Sequence, residues 1–177
     1  MDRNVLLGAL AFVAALIVAS RRKAPQIAPG ALGPYATWRE VNPRGYTMTD
    51  EQRLNAQALY DEVLHPWRVA AGQPFVFTSW YRSPTDNEAV DGAAGSQHLH
   101  LGRNAATDIR PPAPFDAFDL GSLLISLDLP FDQLILYDRE RGGHVHVSHV
   151  RGGPNRRQVL RAPAAGGYVP WSSGAQA

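Results

Sequence analysis

Four of the six histidines lie in two short, well-separated segments, and the rest of the chain is organised around them. The first is Ser96-Gln97-His98-Leu99-His100-Leu101-Gly102-Arg103-Asn104-Ala105-Ala106-Thr107-Asp108; the second is His144-Val145-His146. Imidazole and carboxylate both ligate zinc, and a catalytic zinc takes three protein ligands and leaves its fourth position to water. His98 or His100, with Asp108 and His146, would supply that set. On spacing alone a second reading stands beside it, because His-x-His also occurs on strands that bind no metal. The chain has no cysteine, which excludes a structural site built on thiolates.

A length of 177 residues suits one domain with a modest core rather than two. The net charge of +1 argues neither for nor against a polyanionic partner. Arg151, Arg156, Arg157 and Arg161 follow one another with no intervening acid. That run reads as a solvated basic tail, suited at most to an anionic surface. Nucleic-acid binding is not expected, since neither aromatic interleaving nor a recognition helix is apparent.

Residues 5–19 form an uninterrupted apolar run closed by Arg21-Arg22-Lys23. It is shorter than the ~20 residues that usually span a bilayer, and falls between a signal-peptide core and a short membrane anchor. Residues 1–20 are therefore expected as a transmembrane or signal-anchor segment, and residues 21–38, rich in Pro and Gly, as a linker. The trailing positive charges favour a cytoplasmic C-terminal side.

The remainder reads as one domain over residues 39–152 with a basic, flexible tail over 153–177. Thr49 caps a helix whose apolar positions Leu54, Ala58, Leu59, Val63 and Leu64 recur at helical spacing until Pro66 ends it. Phe75 to Tyr81 is a β-rich run. Thr85-Asp86 caps a short helix, Thr107 to Arg110 is a strand, and residues 115–127 are helical. Residues 131–137 and 144–148 are further strands. In the last of these His144 and His146 share a face, with Val145 and Val147 on the other.

Thr78-Ser79-Trp80-Tyr81-Arg82-Ser83-Pro84, Ser96-Gln97-His98, Ala106-Thr107-Asp108-Ile109, Phe131-Asp132-Gln133-Leu134-Ile135 and His146-Val147-Ser148 occur in that order. Together they resemble the zinc D-Ala-D-Ala carboxypeptidase family. The likeness is to small phage and bacterial members related to VanY-type peptidases and to the hedgehog-type fold, and it spans roughly Val41 to Arg151. It implies an α+β fold, with helices packed on a small antiparallel sheet and Zn2+ in a cleft. It implies a monomeric peptidase acting on peptidoglycan stem peptides or cross-links in the periplasm or at the cell wall, exported or held to the membrane through residues 5–19. A phage lysis enzyme is one such setting.

Carried over by position, the resemblance makes His98, Asp108 and His146 the metal ligands, with His100 as the alternative to His98. It makes Arg82 a substrate-binding and catalytic arginine, and Ser96 and Gln97 residues that shape the substrate site. Two departures stand out. Ten positions separate His98 from Asp108, longer than is usual in the family, so either the loop carries an insertion or His100 ligates. The position of the glutamate found in many relatives is Gly143; His144 matches the histidine that others carry, with Glu140 and Asp138 in reserve. These departures keep a second reading open, a non-catalytic wall-binding or virion structural module on the same fold.

Overall fold

The computed structural model describes residues 30–171. The apolar run 5–19, and with it the expected membrane or export segment, lies outside the described residues. Among the described residues no helix is long and apolar enough to cross a membrane.

The architecture is α+β. A two-stranded pairing of β1 (Ala31–Gly33) and β2 (Ala36–Thr37) precedes a six-stranded sheet. Its members are β3 (Val76–Ser79), β4 (Asn104–Arg110), β5 (Gln133–Tyr137), β6 (Val145–Val150), β7 (Gln158–Ala162) and β8 (Val169–Pro170), in the spatial order β3-β4-β6-β5-β7-β8. Neighbours are antiparallel except β5 and β7, which run parallel.

The helices are α1 (Trp38–Val41), α2 (Asp50–Leu59), α3 (His65–Ala71), α4 (Pro84–Ala89) and α5 (Ala117–Ser126). Reciprocal capping boxes start three of them: Thr37 with Glu40 at α1, Thr49 with Gln52 at α2, and Asp116 with Asp119 at α5. Each satisfies otherwise unbonded N–H groups at the helix start. Helix α2 packs on β4 and β6, α5 on β5 and β6, and α3 against α5. Leu59, Val63, Leu64, Trp67, Leu120 and Leu124 meet Ile109, Leu134, Leu136, Val145 and Val147 in one core. Trp67, fully buried in this core, has its polar atom satisfied: Nε1 donates to the Leu120 carbonyl at 3.0 Å.

Several expectations are corrected. Pro66 does not end the first helix. A π turn over Tyr60–Leu64 widens the backbone spacing, Pro66 falls in the first turn of α3, and the helix runs on to Gly72, a left-handed cap at φ 64°. The π turn just before it already interrupts the regular i→i−4 bonding, so the proline's missing N–H and its ring are accommodated without ending the helix. Leu54 faces solvent, and the buried face of α2 includes Asn55, whose amide donates to the His100 and Gly102 carbonyls at 3.1 and 2.9 Å. The cap of α4 is Ser83, with Pro84 as first helical residue, rather than Thr85-Asp86.

The stretch expected as linker up to residue 38 contains β1 and β2, with Leu32 and Ala36 buried. The stretch expected as a loose tail after residue 152 contains β7 and β8. Its arginines are not simply solvated: Arg156 and Arg161 each make two-pronged contacts to the buried carboxylates of Asp132 and Asp138. A Gly/Pro/Arg composition reads as loop, but the two buried acids that flank β5 hold the segment against the sheet.

Candidate metal centre

Alternation along the strands divides the sheet into two faces. Val145 and Val147 of β6 point into the helical core, while His146 points to the opposite face. Asp108 on β4 and Ile135 on β5 are its register partners. His98 reaches the same point from a 3₁₀ turn over Gln97–Leu99, capped by Ser96. The Arg82 N–H holds that turn by donating to the His98 carbonyl at 2.9 Å.

Three ligand atoms converge there. His146 Nδ1 lies 2.9 Å from Asp108 Oδ1, His98 Nε2 lies 3.3 Å from the same oxygen, and the two nitrogens are 3.3 Å apart. All three residues are buried. The arrangement fits a tetrahedral zinc: ligand atoms on a centre with bonds of about 2.0–2.1 Å stand close to the spacing seen here. The donor chemistry fits as well. His98 Nδ1 is 2.8 Å from the Trp80 carbonyl and must donate to it, which leaves the Nε2 lone pair facing the cluster.

Burial would raise the Asp108 carboxyl, but the His146 and His98 ring nitrogens set against Oδ1 outweigh it and hold it well below the usual carboxylate range. Burial lowers the His146 imidazole despite the Asp108 hydrogen bond. The set therefore holds one carboxylate and, at His146, an imidazole that favours the neutral, ligating form.

His100 does not join them. It ends the 3₁₀ turn at φ 53°, in the left-handed region, and this reversal sends its ring into the core. There Nε2 lies 3.3 Å from the Ala106 carbonyl and the ring sits edge-on to Tyr81. The extra length between His98 and Asp108 is taken up in the turn over residues 100–103, after which β4 begins at Asn104.

Arg82 is placed beside the cluster but committed to it. Its Nε donates to Ser79 Oγ at 2.8 Å and its Nη2 to Asp108 Oδ2 at 3.0 Å. Ser96 Oγ accepts from the His98 N–H at 3.4 Å. Gln97 bridges Asp132 and His146: Nε2 donates to Asp132 Oδ2 at 2.9 Å and Oε1 lies 3.4 Å from His146 Nε2. His144 precedes β6 and stacks on Tyr137, ring centroids 3.9 Å apart, and burial lowers its imidazole. Gly143 lies in the preceding turn at φ 57°. Asp138 is taken by Arg161 and by the Ala164 N–H, and Glu140 stays on an exposed turn.

The cluster opens into a cleft of about 710 Å³ lined by Arg82, Gln97, Asp132, Tyr137, Arg156 and Tyr168, among others. Sequence reasoning gave no site role to Asp132, Tyr137, Arg156 or Tyr168. The signal for Asp132 was present: an acid opening an otherwise apolar strand has to find a cation or hydrogen-bond donors once buried.

Among curated proteins, no sequence matches this chain. The sequence model described as Peptidase M15 matches residues 39–151, a span that contains His98, Asp108 and His146, the strands that carry two of them and the turn that carries the third. With most of its length matched by that model, the chain belongs to the peptidase M15 family.

Proposed function

We propose that the chain is a zinc peptidase that cleaves peptidoglycan stem peptides or cross-links, a D-Ala-type carboxypeptidase or endopeptidase. The observation that carries this reading is the convergence of His98 Nε2, Asp108 Oδ1 and His146 Nδ1 in the lining of a cleft of about 710 Å³. Bound there, zinc would polarise the scissile carbonyl and bring the acidity of water toward neutrality.

The chain's own residues supply the remainder. Asp108 offers Oδ1 to the metal and is steadied at Oδ2 by Arg82, so Arg82 orients the ligand and does not present a free fork to a substrate carboxylate. Arg82 is then a positioning residue, which narrows the role that the resemblance implied. His144 is neutral near pH 7 because burial lowers its imidazole, so it can accept a proton. A Cβ on Gly142 would lie 3.3 Å from His144 Nδ1, so that nitrogen abuts the turn and Nε2 is the atom assigned to proton transfer. The ring is held by its stack on Tyr137. Tyr137 and Tyr168, with hydroxyls 3.2 Å apart, give the cleft a wall that a peptide backbone can lie against. In this reading the domain works outside the cytoplasm, brought to the wall by residues 5–19 as an anchor or export signal, as in a phage lysis enzyme.

A second reading, a wall-binding module without catalysis, is favoured by Gly143 at the glutamate position and by Asp132 being consumed by Gln97 and Arg156. One experiment separates the two. The chain from residue 24 is incubated with purified peptidoglycan, with zinc or with chelator, and the products are read by mass spectrometry. Chelator-sensitive release of D-Ala or of split cross-links supports the peptidase. A folded, zinc-loaded chain that binds the wall and releases nothing supports the binding module.

A further inference from the structure

A line of polar contacts leaves the cluster in a direction the family match does not cover. Arg156, beyond the matched residues, donates from its backbone N–H to Asp132 Oδ1 at 3.0 Å, from Nε to Oδ1 and Oδ2 at 3.0 and 3.2 Å, and from Nη2 to Oδ2 at 2.7 Å. Asp132 is 2 % exposed. Burial would raise its carboxyl, but the Arg156 and Gln97 hydrogen bonds outweigh that and keep it ionised. An ionised carboxylate only accepts hydrogen bonds. Gln97 must therefore turn its NH2 group to Asp132 Oδ2, at 2.9 Å, and this points its carbonyl Oε1 at His146 Nε2, 3.4 Å away. A carbonyl also only accepts, so His146 Nε2 has to carry a proton. With a cation held on the three ligands, the Nδ1 lone pair is then the one turned toward His98 Nε2 and Asp108 Oδ1; without it, the Asp108 carboxylate 2.9 Å away would call for a proton on Nδ1.

We propose that Arg156, Asp132 and Gln97 form a positioning relay that sets the tautomer of His146 and so makes Nδ1 its metal-binding nitrogen. The inference rests on the zinc reading above and adds to it a role for the segment after residue 151. Its logic is a chain of forced orientations: a cation fixes an acceptor, the acceptor fixes an amide, and the amide fixes a proton. Outer-sphere partners of this kind commonly change metal affinity 10–100-fold when removed. Asp132→Asn is the informative variant, because its amide can satisfy Gln97 only by accepting where the carboxylate accepted or by donating and reversing the Gln97 amide. Reversal would set an N–H against His146 Nε2 and favour the wrong tautomer.

The test uses the full chain with histidine labelled by 15N. In the zinc-loaded parent, long-range 1H–15N correlation spectra should report His146 with Nε2 protonated and Nδ1 bound to metal. Competition with a chromophoric chelator should give Gln97→Met and Asp132→Asn zinc affinities about 10–100-fold weaker than the parent. Arg156→Lys should retain more affinity than Arg156→Gln. A purely structural role would lower the melting temperature of the metal-free variants without altering the nitrogen bound by His146. Metal on His146 Nε2 in the parent, or parental zinc affinity in folded Gln97→Met, overturns the relay; the parent spectrum decides the matter even if a variant fails to fold. A parent that binds no zinc overturns the zinc reading itself, whereas a parent that binds zinc and cleaves peptidoglycan with Nε2 coordinated overturns the relay alone.

Discussion

Asp108 and His146 are register partners across β4 and β6, and Asp108 Oδ1 and His146 Nδ1 stand 2.9 Å apart. Two adjacent central strands thus deliver two ligand atoms with little freedom left to either. The third comes from a turn, and there the chain offers a choice between two histidines. His98→Ala should abolish tight zinc binding, exceeding the roughly 10–100-fold that loss of an outer-sphere partner costs. His100→Ala should keep zinc but lose about 2 kcal/mol or more of stability, because His100 is fully buried and its removal leaves a cavity. Chelator competition and urea denaturation on both variants check this. Loss of zinc with His100→Ala and retention with His98→Ala would reverse the ligand assignment.

Zinc itself should stabilise the fold. A ligand present at about 1,000 times its Kd adds roughly 4 kcal/mol when it binds only the native state. For a domain of this size that raises the melting temperature by on the order of 10 °C. Thermal scans of the chelated protein with stepwise zinc should show the rise, and Asp108→Asn should blunt it. Identical melting curves with and without zinc would count against a native metal site.

The legible and illegible parts of this chain divide on physical lines. Thr49 at its helix start, or the apolar spacing over residues 115–127, acts through neighbours one turn away along one helix, so local pattern finds them. The ligand set was legible because its residue types carry the chemistry wherever the fold puts them. His98 against His100 was not, because the outcome depends on one left-handed φ at residue 100 and on the Trp80 carbonyl brought from β3's far end. Pro66 misled for a related reason: a π turn is set by packing, not by propensity. The tail misled most. Nothing local in residues 153–162 announces a strand, and only the buried acids Asp132 and Asp138, more than twenty residues earlier, explain why it docks.

That docking has a measurable consequence. Strand β7 pairs with β5 along its whole length, from Gln133 opposite Gln158 to Tyr137 opposite Ala162. A chain ended after Gly152 would expose the edge of β5 and leave Asp132 without its cation. Removing one partner of a buried ion pair costs about 3–5 kcal/mol, reduced here by the exposed side of Arg156. The truncated chain is expected to aggregate or to unfold at markedly lower urea. A truncated chain with parental stability would mean that the family-matched residues 39–151 fold alone and that β7 is ornamental to the sheet.

His149 gives the chain a sensitivity to acid that is separate from the cluster. It lies on the core face of β6, 1 % exposed, with Nε2 3.2 Å from Glu62 Oε2 on the π turn but misaligned for a hydrogen bond. Burial lowers its imidazole, and the opposing pull of the Glu62 and Asp132 charges does not reverse that. The native state therefore holds His149 neutral, while the unfolded chain takes up a proton near pH 6.5. Below that pH the unfolded state binds more protons than the native one, so the contribution present at neutral pH is lost as the pH falls, by at most about 1.4 kcal/mol per unit from one group. His149→Leu removes the titration and an imidazole with no hydrogen bond. Melting temperatures with chelator present should match or exceed the parent's at pH 7.5 and fall less between pH 7.5 and 5.5. An equal fall in both proteins would assign the acid sensitivity to the other buried histidines.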